Sequence, residues 1–139
     1  CGHSERILGQ VLSDRRKQVV IATKFGNVFD EQTRRITGSS AEPAYIRKAC
    51  EASLRRLRTE YIDLYQLHSG NYGLGRVDEV LEMLERLVDE GRIRWYGWST
   101  DDPIRAAAFS RGPHCAAIQQ RFIQPPQQNP IVKRMLTEA

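Results

Sequence analysis

The sequence predicts an α/β fold, a partial TIM (β/α)8 barrel of about four parallel strands with intervening helices. Three observations point there. Short β-branched or aromatic runs alternate with amphipathic helical stretches, and strands joined through helices pair in parallel with right-handed crossovers. No G-x-G-x-x-G turn follows the first strand, which weighs against the open dinucleotide-binding sheet, the other architecture built this way. A closed barrel needs about 250 residues, so 139 residues with four strands amount to half of one.

Taken in order, Gly2 to Leu12 suits a helix, with Ser4 placed to cap it, Glu5 complementing its positive end and Ile7, Leu8, Val11 and Leu12 forming an apolar stripe. Val19 to Phe25, closed by Gly26, is expected to be a strand buried on both faces. The polar stretch from Asn27 to Ala41 is predicted as a long loop, of the kind that is often functional. Pro43 fits a first turn, and Ile46, Ala49, Cys50, Ser53, Leu54 and Leu57 recur at helical spacing, so a helix runs from Pro43 to Arg58. Tyr61 to His68 is the second strand, stopped by the turn Ser69-Gly70-Asn71. Val77, Val80, Leu81, Leu84, Leu87 and Val88 describe another helix, ended by Gly91. Ile93 to Ser99 is the third strand, after which Asp101-Asp102-Pro103 opens a short helix through Ala107 and Phe109. Cys115 to Phe122 is the fourth. The tail from Gln124 to Ala139, with Pro125, Pro126 and Pro130, reads as the next loop and the beginning of the next helix.

Composition sets outer limits on function. Hydrophobic residues at 40% and charged residues at 27% are ordinary for one globular domain, residues 1–139. No apolar run is long enough for a membrane span and no basic-then-apolar leader opens the chain, so a soluble, cytoplasmic protein without a membrane partner is expected. The net charge of +4 is scattered, with Arg15-Arg16-Lys17 as the tightest run and Arg55, Arg56 and Arg58 on one helix. These read as solvated helix faces and ends, and no aromatic platform accompanies them, so no nucleic acid is expected as partner. Cys1, Cys50 and Cys115 are odd in number, widely spaced and without metal-ligand neighbours, as reduced thiols would be. The sequence starts at Cys1, which points to a piece of a longer chain that lacks the N-terminal and C-terminal strands of its barrel.

In a parallel α/β fold the strand C-termini line the face on which sites are built. Lys24 holds that position on the first strand, His68 on the second and Ser99 on the third, with Gln119 inside the fourth. If the first two strands pair directly they lie about 4.8 Å apart, so that Lys24 and His68 share a pocket. An ammonium at the mouth of an apolar strand is costly to bury without a carboxylate or a reacting partner, which marks Lys24 as functional. His68 alone could bond a backbone carbonyl; the pair is the stronger signal. Asp63, in mid-strand, is expected to be a hydrogen-bonded structural acid, and Trp95 and Trp98 to be core and rim packing. Ser99 and Thr100 either cap the following helix or contact a ligand.

The residues also carry a family likeness. Gly2-His3-Ser4-Glu5-Arg6-Ile7-Leu8-Gly9 resembles the G-x-S-E-x-x-L-G segment that follows the catalytic tyrosine of aldo-keto reductases, and Ala22-Thr23-Lys24 resembles their strand bearing the catalytic lysine. Ser53-Leu54-Arg55-Arg56-Leu57 with Tyr61-Ile62-Asp63-Leu64-Tyr65-Gln66-Leu67-His68 resembles the family's S-L-x-R-L and Y-I-D-L-Y-x-x-H, which ends at the catalytic histidine. Gly91 with Ile93 to Ser99 resembles the G-K-I-R-x-x-G-x-S element, and Ala117-Ile118-Gln119 the A-x-Q strand. The matches run in order up to about Phe122.

The resemblance implies an NADP(H)-dependent oxidoreductase that reduces a small-molecule aldehyde or ketone on a barrel. It makes Lys24 and His68 catalytic, with Lys24 lowering the pKa of a tyrosine proton donor and His68 orienting the carbonyl. It makes Ser99, Thr100 and Gln119 cofactor-binding, although Thr100 stands where many members have asparagine. No metal is implied. The family's tyrosine and aspartate belong to a segment before Gly2, and its 2′-phosphate-gripping motif to one beyond Ala139, so this piece is expected to be inert by itself. Two other readings stay open: a Schiff-base lyase using Lys24 as nucleophile, and a non-catalytic cofactor-binding or regulatory barrel subunit.

Overall fold

The computed structural model describes residues 2–30, 32–69 and 73–121. Helix α1 (His3–Val11) leads through a 3-10 segment (Ser13–Gln18) to β1 (Ala22–Phe25). A short hairpin follows, β2 (Asn27–Phe29) and β3 (Ile36–Ser39), then α2 (Pro43–Leu57), β4 (Ile62–Leu67), α3 (Val77–Asp89), β5 (Ile93–Ser99), α4 (Pro103–Phe109) and β6 (Cys115–Gln119). Strands β1, β4, β5 and β6 form a single sheet in that order, every pair parallel. The register sets Lys24 opposite Gln66, Gln66 opposite Gly97, and Ser99 opposite Gln119. This is the predicted α/β run of four parallel strands, each joined to the next through a helix.

Strand alternation sorts the sheet into two unlike faces. Phe25, Tyr65, Leu67, Tyr96 and Trp98 point one way and are buried against α2, α3 and α4, where Ile46, Cys50, Leu54, Leu84, Leu87 and Phe109 complete the core. The alternate set includes Ala22, Lys24, Trp95 and Gln119, all exposed, beside Ile62, Gln66 and Ile93, which are buried, so among the described residues this face is open in part. The aromatic side chains do much of the filling: Phe25 stacks on Tyr65 at 4.5 Å, and Phe109 meets Trp98 edge-on at 5.3 Å. Two helix ends are closed in the same way. Gly91, at φ 68, directs its N–H to Val88 O at 2.8 Å while Arg92 N–H reaches Leu87 O at 2.9 Å. Arg58, at φ 53, repeats the device after α2, with Thr59 N–H donating to Leu54 O at 3.2 Å.

Several expectations need correction. The stretch expected to be a loop contains the antiparallel hairpin of β2 and β3, closed by Asp30, which accepts from Thr33 N–H at 2.7 Å. The first strand is shorter than predicted and is not buried on both faces. Its start is diverted because Arg16 takes Val19 O, and Ile21 N–H donates to the Asp63 carboxylate at 2.9 Å instead of to a neighbouring strand. Ser4 does not cap α1: the N-cap is Gly2, at φ 67, and a Cβ there would lie 2.4 Å from the Arg56 side chain. The fourth strand ends at Gln119, with Phe122 and the tail from Gln124 to Ala139 outside the described residues.

Candidate functional site

Parallel pairing brings the strand C-termini to one edge of the sheet, and four of the five predicted site residues meet there. His68 N–H donates to Phe25 O at 2.8 Å, which carries the β1–β4 ladder one residue past the strand and fixes the histidine backbone. Thr100 N–H donates to Gln119 O at 2.9 Å and does the same for β5 and β6. Since alternate residues share a face, His68, Ser99 and Gln119 fall on the open side, as does Lys24. His68, Ser99, Thr100 and Gln119 line one cavity of about 790 Å³. Within it His68 and Gln119 are exposed, Ser99 is half-buried and Thr100 is buried.

Lys24 is placed differently. It lies at the C-terminal end of β1, on the strand next to His68, but it lines a separate hollow of about 530 Å³ together with Thr23, Phe29 and Arg56. Its side chain is exposed, so the burial cost that singled it out in the sequence is absent here.

The hydroxyls after β5 divide their work. Thr100 Oγ1 accepts from Asp102 N–H at 3.2 Å, and the cap of α4 is Asp102, which accepts from Ile104 N–H at 2.9 Å and Arg105 N–H at 3.3 Å. Neither Ser99 nor Thr100 caps the helix, and Ser99 remains a lining residue of the cavity. Two cations in the cavity wall were not singled out by the sequence: Arg105, which pairs with Asp102 at 3.3 Å, and Arg121, whose backbone N–H donates to Asp101 at 2.8 Å. The available signal was positional, since Arg105 stands three residues after a helix cap and Arg121 two after a strand end.

Asp63 is the structural acid that was expected. It accepts from Ile21 N–H and pairs with Arg16 at 2.7 Å and Arg94 at 3.1 Å, before the middle of β4 and away from the strand ends. Trp98 is fully buried, with Nε1 donating to Ser69 O at 3.1 Å, whereas Trp95 is 48% exposed and packs on His114. Glu5 proves more than a dipole partner: its carboxylate pairs with Arg56 at 2.6 Å and accepts from the Thr23 hydroxyl at 2.6 Å, tying α1 to α2 and β1. Burial pushes the Cys50 thiol up to about 12, so it is not a nucleophile at neutral pH. Among the described residues no cluster of His, Cys, Asp or Glu could hold a metal ion, and no helix is long and apolar enough to cross a membrane.

Comparison with known proteins gives concordant results. The model of the aldo/keto reductase family matches residues 1–135. The uncharacterized oxidoreductase YqkF of Bacillus subtilis is 38% identical over 123 residues, 87% of this chain and 39% of that protein. Among solved structures, the holo form of the aldo-keto reductase AKR11C1 from Bacillus halodurans superposes with a TM-score of 0.78 at 38% identity, covering 87% of this chain and 40% of that one. An aldo/keto reductase from Klebsiella pneumoniae in complex with NADP and acetate superposes with a TM-score of 0.72 at 32% identity, over 97% of this chain and 45% of that one. The chain thus spans about two fifths of the length of the first two relatives.

Proposed function

Because the chain belongs to the aldo/keto reductase family, we propose that it forms the central, cofactor- and substrate-facing part of a cytoplasmic NADP(H)-dependent reductase of small aldehydes or ketones. The observation that carries this reading is the cavity of about 790 Å³ at the C-terminal ends of parallel strands, where His68, Ser99, Thr100 and Gln119 converge. Its polar groups suit a nicotinamide carboxamide, which needs both donors and acceptors: a hydroxyl offers one of each and an amide offers both. The Arg105 and Arg121 guanidiniums in the same wall suit an anionic dinucleotide.

A reduced nicotinamide, when bound, would supply hydride to a carbonyl carbon. Ser99 and Gln119 would hold the carboxamide; Thr100, whose Oγ1 already accepts from Asp102 N–H, would contribute mainly by shape and backbone. His68 donates a hydrogen bond to the carbonyl oxygen, drawing off charge as it develops. The Lys24 cation lowers the pKa of a neighbouring phenol, the proton donor that the family resemblance implies. The resemblance puts that tyrosine in a segment before Gly2, and among the described residues no tyrosine lines the strand-end cavity or the hollow at Lys24, which supports a chain that in isolation binds without turning over.

An exposed Lys24 disfavours the Schiff-base reading, which needs an amine deprived of its charge by apolar surroundings. Steady-state kinetics on a full-length protein containing this segment test the proposal. Lys24→Met and His68→Ala are each expected to lower kcat for carbonyl-dependent NADPH oxidation by about 100-fold or more. Gln119→Ala is expected instead to weaken NADPH binding. The isolated 139-residue chain should oxidise no NADPH. Near-normal kcat in both Lys24 and His68 variants would sink the assignment.

A further inference from the structure

One concentration of like charge lies outside the strand-end cavity. Where α1 packs across the last turns of α2, a groove of about 370 Å³ is lined by Arg6, Gln10, Ala52, Arg55, Arg56 and Arg58, with no acidic and no aromatic side chain in its wall. Arg56 is already satisfied, by Glu5 at 2.6 Å and by the Ser53 hydroxyl at 3.2 Å. Arg55 and Arg58 are exposed, and neither makes an ion pair or side-chain hydrogen bond among the described residues. The Arg58 backbone is pinned at φ 53 by the bond from its N–H to Arg55 O at 3.3 Å, so both side chains leave from a fixed helix end. A neighbouring hollow of about 470 Å³ shares Arg55 and Arg58 and adds Arg92 together with Glu51 and Glu60.

Attraction to the negative end of α2 accounts for basic residues in its last turn. It does not account for the concave wall itself, to which α1 adds Arg6 and Gln10; Arg6 has an interaction of its own and Arg56 is paired with Glu5, so Arg55 and Arg58 are the exposed guanidiniums of that wall. The two exposed guanidiniums leave one fixed helix end side by side, and an oxyanion matches their planar donor forks. We propose that this groove binds a small molecule carrying two or more phosphate groups, held by Arg55 and Arg58 with Arg6 and Gln10 at the opposite wall. Its volume is that of a small-molecule site, and the lack of an aromatic platform argues against a nucleic-acid strand. It is formed by the helix layer, so it is separate from the cavity assigned to the nicotinamide cofactor.

Inorganic tripolyphosphate, titrated calorimetrically into the full chain at fixed ionic strength, tests the site. Saturable binding is expected, and the double variant Arg55→Gln/Arg58→Asn should weaken it by about tenfold or more. Asparagine is chosen at 58 because it tolerates a positive φ. Circular dichroism checks the fold of the variant, and Arg55→Gln alone, expected to weaken binding in the same direction, serves if the double variant does not fold. Gln119→Ala should leave tripolyphosphate binding unchanged, which separates this groove from the cofactor cavity. No binding by the parent chain, or undiminished binding by the arginine variants, overturns the proposal. So does tighter binding of a single-stranded oligonucleotide through the same arginines, which would mark a polymer surface.

Discussion

Asp63 and Lys24 show how differently one strand pair treats two ionisable side chains. Asp63 is 7% exposed and holds Arg16, itself 12% exposed, at 2.7 Å. Removing one member of such a pair leaves the other charge buried and uncompensated, at a cost of about 3 kcal/mol. Arg94 reaches the same carboxylate at 3.1 Å but is 57% exposed, and solvent screens its contribution to below about 1 kcal/mol. Asp63→Asn is therefore expected to lower the urea midpoint strongly, and Arg94→Gln only slightly. Equal losses in the two variants would mean that burial does not rank these contacts. The contrast was partly legible in the sequence, where a lone acid inside an apolar strand needs a partner. The partner was not, because Arg16 belongs to a basic run that reads as solvated and is turned inward by the 3-10 segment carrying it, where its guanidinium also covers the Tyr61 ring at 3.8 Å.

At the scale of elements, the join between α3 and β6 is a titratable one. Glu85 on α3 accepts from the Tyr96 hydroxyl and from His114 N–H at 3.3 Å, and lies 2.7 Å from His114 Nδ1 just before β6. Burial disfavours its ionised form, yet the hydrogen bonds from Tyr96 and His114 outweigh that and hold its pKa below the usual 4.5. A depressed carboxylate stabilises the fold above its unfolded pKa and loses that contribution as pH falls through the folded value. Thermal unfolding should therefore show stability decreasing below about pH 4.5. Glu85→Gln should flatten that decrease, and an unchanged acid limb would remove Glu85 from the account. Helices and strands of the parallel sheet were legible because their periodicity is strong and their ends carry Pro43, Gly91 and Asp102-Pro103. The hairpin of β2 and β3 was not, because its strands are only three and four residues long and largely exposed, so no buried face imposes an alternation on them. Thr100 was legible as a residue at the end of the third strand but not as a buried turn acceptor, since only the folded chain brings Asp102 N–H onto it.

For the whole molecule, the open sheet has a consequence for behaviour in solution. Among the described residues β1 pairs only with β4, and β6 only with β5, so each outer strand presents unpaired N–H and C=O groups along one side. Such edges recruit other strands unless they are covered, bulged or charged. Charge is sparse here: Lys24 is the lone charged residue of β1, and β6 has none. The open face adds apolar surface, with Trp95 48% exposed, and Val20, just before β1, is 82% exposed. Edge pairing gains backbone hydrogen bonds that water already supplies in part, whereas covering Trp95 removes apolar area from water at about 25 cal/mol per Å². Burial of the face is thus the stronger drive and edge pairing sets its direction. Light scattering across a range of protein concentrations is expected to show mass rising above that of the 15.9 kDa chain, with tryptophan fluorescence shifting to the blue as Trp95 is covered. Trp95→Lys should suppress both changes while leaving the core intact, because the indole lies on the side of β5 away from α3 and α4. A chain that stays monomeric at high concentration with unshifted emission would show that its edges and open face are protected within the 139 residues themselves.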